Sequence, residues 1–124
     1  KDCWKMINGS WFKFNESGYA LEEQWYHDEE SDRWYWLNKG GYMASKAWRY
    51  INNQWFYFHE NGEMATGWVE YQGRWYYLNH GNGDMVSEEY RKIGDTWYMF
   101  NENGEMLADK KIEIGKDGAV KVLE

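Results

Sequence analysis

Short aromatic runs alternate with polar turns along the chain, on a period of about 21 residues. The runs read Trp11-Phe12-Lys13-Phe14, Trp34-Tyr35-Trp36-Leu37, Trp55-Phe56-Tyr57-Phe58, Trp75-Tyr76-Tyr77-Leu78 and Trp97-Tyr98-Met99-Phe100. A turn follows each, ending at Gly18, Gly41, Gly62, Gly83 or Gly104. Two residues beyond stands Ala20 in the first unit and Met43, Met64, Met85 or Met106 in the others. An aromatic strand, a turn rich in Asn and Gly, and a return strand beginning near the Met predict one β-hairpin per unit. A lone hairpin is marginal in water, so the units must stack and bury one another's rings. The reading is an all-β solenoid of stacked hairpins, with repeats at about 1–23, 24–46, 47–66, 67–88 and 89–109. Residues 110–124 alternate aliphatic and charged positions around a Gly115-Lys116-Asp117-Gly118 turn and are expected to form a C-terminal capping hairpin.

Composition changes one part of this picture. Leu, Ile, Val and Phe number 19 in 124 residues, and with a net charge of −7 so few aliphatics would point to disorder. Ten Trp and eleven Tyr reverse that, because each large ring buries roughly 150–250 Å². The surplus of rings exceeds what a core needs and points to ligand grooves or contacts between repeats. The acidic balance argues against nucleic acid or an anionic membrane surface as partner, and no apolar run is long enough for membrane insertion. The single Cys3 cannot form an internal disulfide.

The candidate chemistry is aromatic. A second ring precedes each run: Trp4, Trp25, Trp48, Trp68 and Tyr90. It stands seven residues ahead of the strand Trp in four units and nine ahead in the second. We read it as a ring on the connecting loop, offered with the strand ring to one groove. Packing alone would explain one such pair; a whole series with few aliphatic neighbours favours a ligand. His27, His59 and His80 read as solvated turn residues without metal-ligand spacing, and Cys3 has no His partner. No catalytic site, metal or cofactor is expected, and the piece reads as a binding module. It opens without an initiator Met, as a fragment would, and any hydrolase domain is expected upstream of Lys1.

The stretch Gly67-Trp68-Val69-Glu70-Tyr71-Gln72-Gly73-Arg74-Trp75-Tyr76-Tyr77-Leu78-Asn79, followed by Gly83-Asp84-Met85, resembles the choline-binding (cell-wall-binding) repeat. The likeness spans nearly the whole chain and is similar to the C-terminal modules of bacterial autolytic amidases and phage lysins. It implies a left-handed superhelix of hairpins, with choline held between consecutive units. Each site would take the paired rings of one unit, the third aromatic of the next unit's run, and that unit's Met. Carried over, the sites are Trp4, Trp11 and Trp36 with Met43; Trp25, Trp34 and Tyr57 with Met64; and Trp48, Trp55 and Tyr77 with Met85. The first is expected to be weaker. Trp68 and Trp75 meet Met99 where a ring is expected, which makes that site incomplete. Tyr90 and Trp97 face a closing hairpin with no aromatic. Lys13, third in the first run, implies no site upstream of it.

The implied ligand suits the residues. A trimethylammonium group is cationic but donates no hydrogen bond, so aromatic faces suit it better than a carboxylate does. The resemblance implies choline or phosphocholine of teichoic acids as partner, and a secreted, cell-wall-associated or phage-lysin setting. A glucan-binding or clostridial-toxin type of carbohydrate repeat is the alternative, with more polar side chains expected beside the rings. Pairing of two copies through residues 110–124 is a further expectation.

Overall fold

The computed structural model describes residues 3–107, 111–114 and 120–123. Among the described residues the strands pair only with their neighbours in sequence, as six antiparallel two-stranded sheets. They are β1 (Cys3–Ile7) with β2 (Ser10–Phe14), β3 (Gln24–Asp28) with β4 (Arg33–Leu37), β5 (Ala47–Ile51) with β6 (Gln54–Phe58), and β7 (Gly67–Tyr71) with β8 (Arg74–Leu78). β9 (Glu89–Ile93) pairs with β10 (Thr96–Phe100), and β11 (Lys111–Ile114) with β12 (Val120–Leu123). The turn expected at 115–118 lies outside the described residues, as do the side chains on which pairing of two copies would depend.

The hairpins are all-β as expected, but each aromatic run is the second strand of its hairpin, not the first. The first strand carries the preceding ring, so Trp4, Trp25, Trp48, Trp68 and Tyr90 lie on strands rather than on connecting loops. Local turn chemistry explains the shift. Asn8-Gly9, Asn52-Asn53 and Gln72-Gly73 hold consecutive positive φ angles, from 50° to 86°, which match the twist of two antiparallel strands. The Asn-to-Gly turn after the run instead curls on itself: Asn15 Oδ1 accepts the Ser17 and Tyr19 amides, and Asn101 Oδ1 accepts those of Asn103 and Glu105. The return strand expected there shrinks to one bridge per unit, as in Leu37 with Met43, Phe58 with Met64 and Phe100 with Met106. β3 and β4 are joined by four residues rather than two, which accounts for the longer gap between Trp25 and Trp34.

Register decides which way each ring looks. The first-strand ring sits opposite the third residue of the run: Trp25 with Trp36, Trp48 with Tyr57, Trp68 with Tyr77. Side chains alternate, so the first and third run residues share that ring's face while the second and fourth look the other way.

By contact the chain divides into two compact units, Lys1–Ala65 and Thr66–Glu124. In the first, Ala44, Ile51, Phe56 and Phe58 form a buried cluster against which Trp25, Trp36 and Met64 pack. In the second, Tyr77, Val86 and Phe100 do the same for Trp68, Tyr98 and Met106. Polar links recur between consecutive hairpins. Arg49 donates from Nε to Asn38 Oδ1 at 2.7 Å, and Arg91 from Nη1 to Asn79 Oδ1 at 2.6 Å. The buried Asn38 also donates to the Tyr42 carbonyl, so its amide ties a turn and the next hairpin together.

Candidate ligand-binding grooves

The clearest groove lies in the second unit, where Trp68, Trp75, Tyr98 and Met106 line a cavity of about 330 Å³. Trp68 and Trp75 stand edge to face with centroids 6.2 Å apart, and Tyr98 approaches Trp68 at 4.9 Å. The Met106 amide donates to the Trp75 carbonyl at 2.9 Å, which brings the Met to the groove from the next hairpin. Trp68 and Trp75 were expected to lack a third ring, because Met99 is third in the next run. Register corrects this: Met99 sits opposite Tyr90 of its own hairpin, and the ring turned back toward Trp68 is the second residue, Tyr98.

The first unit repeats the arrangement. Trp25 and Trp34 lie 6.1 Å apart, Phe56 reaches Trp25 at 5.0 Å, and the Met64 amide donates to the Trp34 carbonyl at 2.8 Å. The expected third ring, Tyr57, instead meets Trp48 of its own hairpin at 5.1 Å. At the start of the chain, Trp4 meets Tyr35 at 5.3 Å, and the Met43 amide donates to the Trp11 carbonyl. Trp36, assigned there from the sequence, packs on Trp25 at 5.5 Å. The residues of the remaining expected site fall in both units. Trp48 and Trp55 belong to the first, with Tyr50 set 5.1 Å from Trp55. Tyr77 and Met85 belong to the second, where Tyr77 packs on Trp68 at 5.2 Å.

Tyr35, Phe56 and Tyr98 are thus the rings that sequence reasoning missed. Strict alternation along the run was the signal for them: a residue one step from the leading Trp faces the preceding hairpin. His27 is a second correction. It lies on β3 rather than in a turn, stacks on Trp34 with centroids 4.3 Å apart, and reaches Asp32 Oδ1 at 2.7 Å.

The leading Trp of every run is exposed to nearly the same degree, from 37% for Trp97 to 43% for Trp55. Each of the five therefore leaves part of its indole open to solvent. Tyr35 is raised above the ordinary value of 10.0 by burial and then by the Glu63 carboxylate, and Tyr76 likewise by burial and Glu105. The grooves thus present ring faces and a thioether, a surface that attracts a weakly hydrated cation. Among the described residues no cluster of His, Cys, Asp and Glu is arranged to hold a metal ion, and no helix is long and apolar enough to cross a membrane.

An array of aromatic hairpins with ring-walled grooves defines a class of repeat-built binding modules. Residues 46–90 match the choline-binding repeat and residues 89–106 a cell wall binding repeat. The fold is similar to choline-binding protein F from Streptococcus pneumoniae, with 29% identity and a TM-score of 0.78 over 98% of this chain and 45% of that one. It is also similar to the pneumococcal cell wall endolysin from phage Cp-1 complexed with choline, with 39% identity and a TM-score of 0.59 over 87% of this chain and 31% of that one. The choline-binding domain of Spr1274 in Streptococcus pneumoniae shares 31% identity and a TM-score of 0.56 over 67% of this chain and 92% of that one. No curated protein sequence matches significantly. The chain belongs to the choline-binding repeat family. It spans less than half the length of choline-binding protein F and of the endolysin.

Proposed function

We propose that the chain is a choline-binding module that holds its parent protein non-covalently on phosphocholine-bearing teichoic acids of a bacterial cell wall. The observation that carries this reading is the open groove of Trp68, Trp75, Tyr98 and Met106, where two indoles, a phenol and a thioether line about 330 Å³. Its ring geometry recurs within 0.1 Å at Trp25, Trp34 and Phe56, where the two spacings are 6.1 and 5.0 Å against 6.2 and 4.9 Å. Three rings at roughly 0.5–2 kcal/mol each supply about 2–6 kcal/mol for a trimethylammonium ion, a millimolar affinity per groove. The rings at Trp4/Trp11 and Trp48/Trp55 belong to the same proposal. A cell-wall hydrolase domain elsewhere in the parent protein fits the endolysin relative.

The test is a choline titration followed by Trp fluorescence and calorimetry. Choline should saturate in the millimolar range. Tyr98→Ala should weaken the Trp68/Trp75 groove by roughly 2- to 30-fold, the worth of one ring, while Met99→Ala leaves it within about twofold. A response to dextran with none to choline would replace the proposal by carbohydrate recognition.

A further inference from the structure

The face that the first hairpin turns toward the second carries a buried lysine. Lys13 is third in its run and sits opposite Trp4 in the β1–β2 register. The same place in the other hairpins holds Trp36, Tyr57, Tyr77 or Met99, all uncharged. Lys13 is only 6% exposed, and its ammonium lies 4.7 Å from the centre of the Tyr26 ring and 5.9 Å from that of Trp4. Those rings are themselves 5.8 Å apart, and Trp4 also meets Tyr35 at 5.3 Å. The sequence reading set Lys13 against a site upstream of it; register turns its side chain downstream instead, to the groove of Trp4 and Trp11.

We propose that the Lys13 ammonium acts as a tethered competitor in the groove of Trp4, Trp11 and Tyr35, so that this groove is reserved against free quaternary amines. The inference rests on the choline reading above and deepens it, by ranking the grooves. The ammonium already uses the ring faces of Trp4 and Tyr26, so a second cation must displace it to reach them. The groove of Trp68, Trp75 and Tyr98 has Tyr77, a neutral ring, in the equivalent position, 5.2 Å from Trp68. The two grooves therefore differ in that a lysine ammonium lies against the rings of one and a neutral ring against those of the other.

The experiment follows the indole N–H resonances of the uniformly ¹⁵N-labelled chain during choline titration, assigned by single Trp→Phe substitutions. In the wild type, the Trp4 and Trp11 signals should move at about tenfold higher choline than those of Trp68 and Trp75. Lys13→Met keeps the buried stem and removes the charge. It should bring the Trp4 and Trp11 midpoint down about tenfold, with the Trp68 and Trp75 midpoint unchanged as the internal measure of folding. Lys13→Arg should keep the gap. Coincident midpoints in the wild type overturn the proposal without any variant. So does Lys13→Met that leaves the gap intact while Trp68 and Trp75 titrate normally. If no indole responds in either groove, the choline reading itself fails and this inference falls with it.

Discussion

Gly62 shows how closely single residues are fitted in this array. It holds φ at +91°, and a Cβ built there would collide with the Met43 sulfur. The Met of one turn thus lies against the bare α-carbon of the next, and Met85 and Gly104 repeat the contact. Gly62→Ala should cost about 2–4 kcal/mol, from left-handed strain plus overpacking. Gly73 has a similar φ of +79° with nothing within 4 Å of the added carbon, so Gly73→Ala should cost only about 1 kcal/mol. Urea denaturation of the two variants reads the Met43 contact as their difference. The tyrosines add a pH signature. Burial and nearby carboxylates raise Tyr35 and Tyr76 in the folded chain, so the unfolded chain releases those protons first as pH climbs. Their contribution to stability is complete below the ordinary tyrosine value of 10.0 and is lost as pH rises through their folded values. Thermal melts should stay level for these groups through neutral pH and fall above about pH 10, and Tyr35→Phe should soften that fall.

At the scale of the hairpin, two polar links do for stacking what the rings do for burial. The Asn38 carboxamide takes the Arg49 guanidinium and gives to the Tyr42 carbonyl; Asn79 takes Arg91 in the same way. Asn38→Ala strands a charged donor beside a buried site, and should cost about 1.5–3 kcal/mol in a urea melt. The Arg49→Met variant, which removes the donor and keeps apolar bulk, should cost less. The hairpin is also the scale at which the sequence can be judged as a guide. The 21-residue period, the strand character of each run and the pairing of two indoles per groove follow from residue type alone, because aromatic runs between Asn/Gly turns admit few other structures. Which turn closes the hairpin does not follow so directly. Asn8-Gly9 and Asn15 to Gly18 both carry turn residues, and only the paired left-handed angles at Asn8 and Gly9 join extended strands. That ambiguity carried the third ring with it. Counting along a run finds Tyr57 or Met99; the alternation of faces, once the true hairpin is known, finds Phe56 and Tyr98.

For the molecule as a whole, the proposed function requires that weak grooves act together. One groove of three rings holds a trimethylammonium ion at about the millimolar level, too weakly to keep a protein on a wall. Several grooves on one chain, facing a polymer with many choline groups, turn later contacts into intramolecular ones and raise overall binding by roughly 10²–10⁴. The net charge of −7 keeps the array soluble and mildly favours a cationic target, but it is spread over many exposed carboxylates and supplies no site. Retention on a choline-bearing support should therefore collapse in free choline at roughly ten times the single-groove dissociation constant, because soluble ligand fills every groove independently. Disabling grooves should act multiplicatively. Trp75→Ala alone should lower apparent affinity for the polymer by about tenfold or more, and Trp34→Ala added to it by a similar further factor, while each substitution removes only one groove's heat in a titration with free choline. If polymer affinity instead fell in simple proportion to the grooves remaining, the grooves would be binding separately and without the avidity that wall attachment requires.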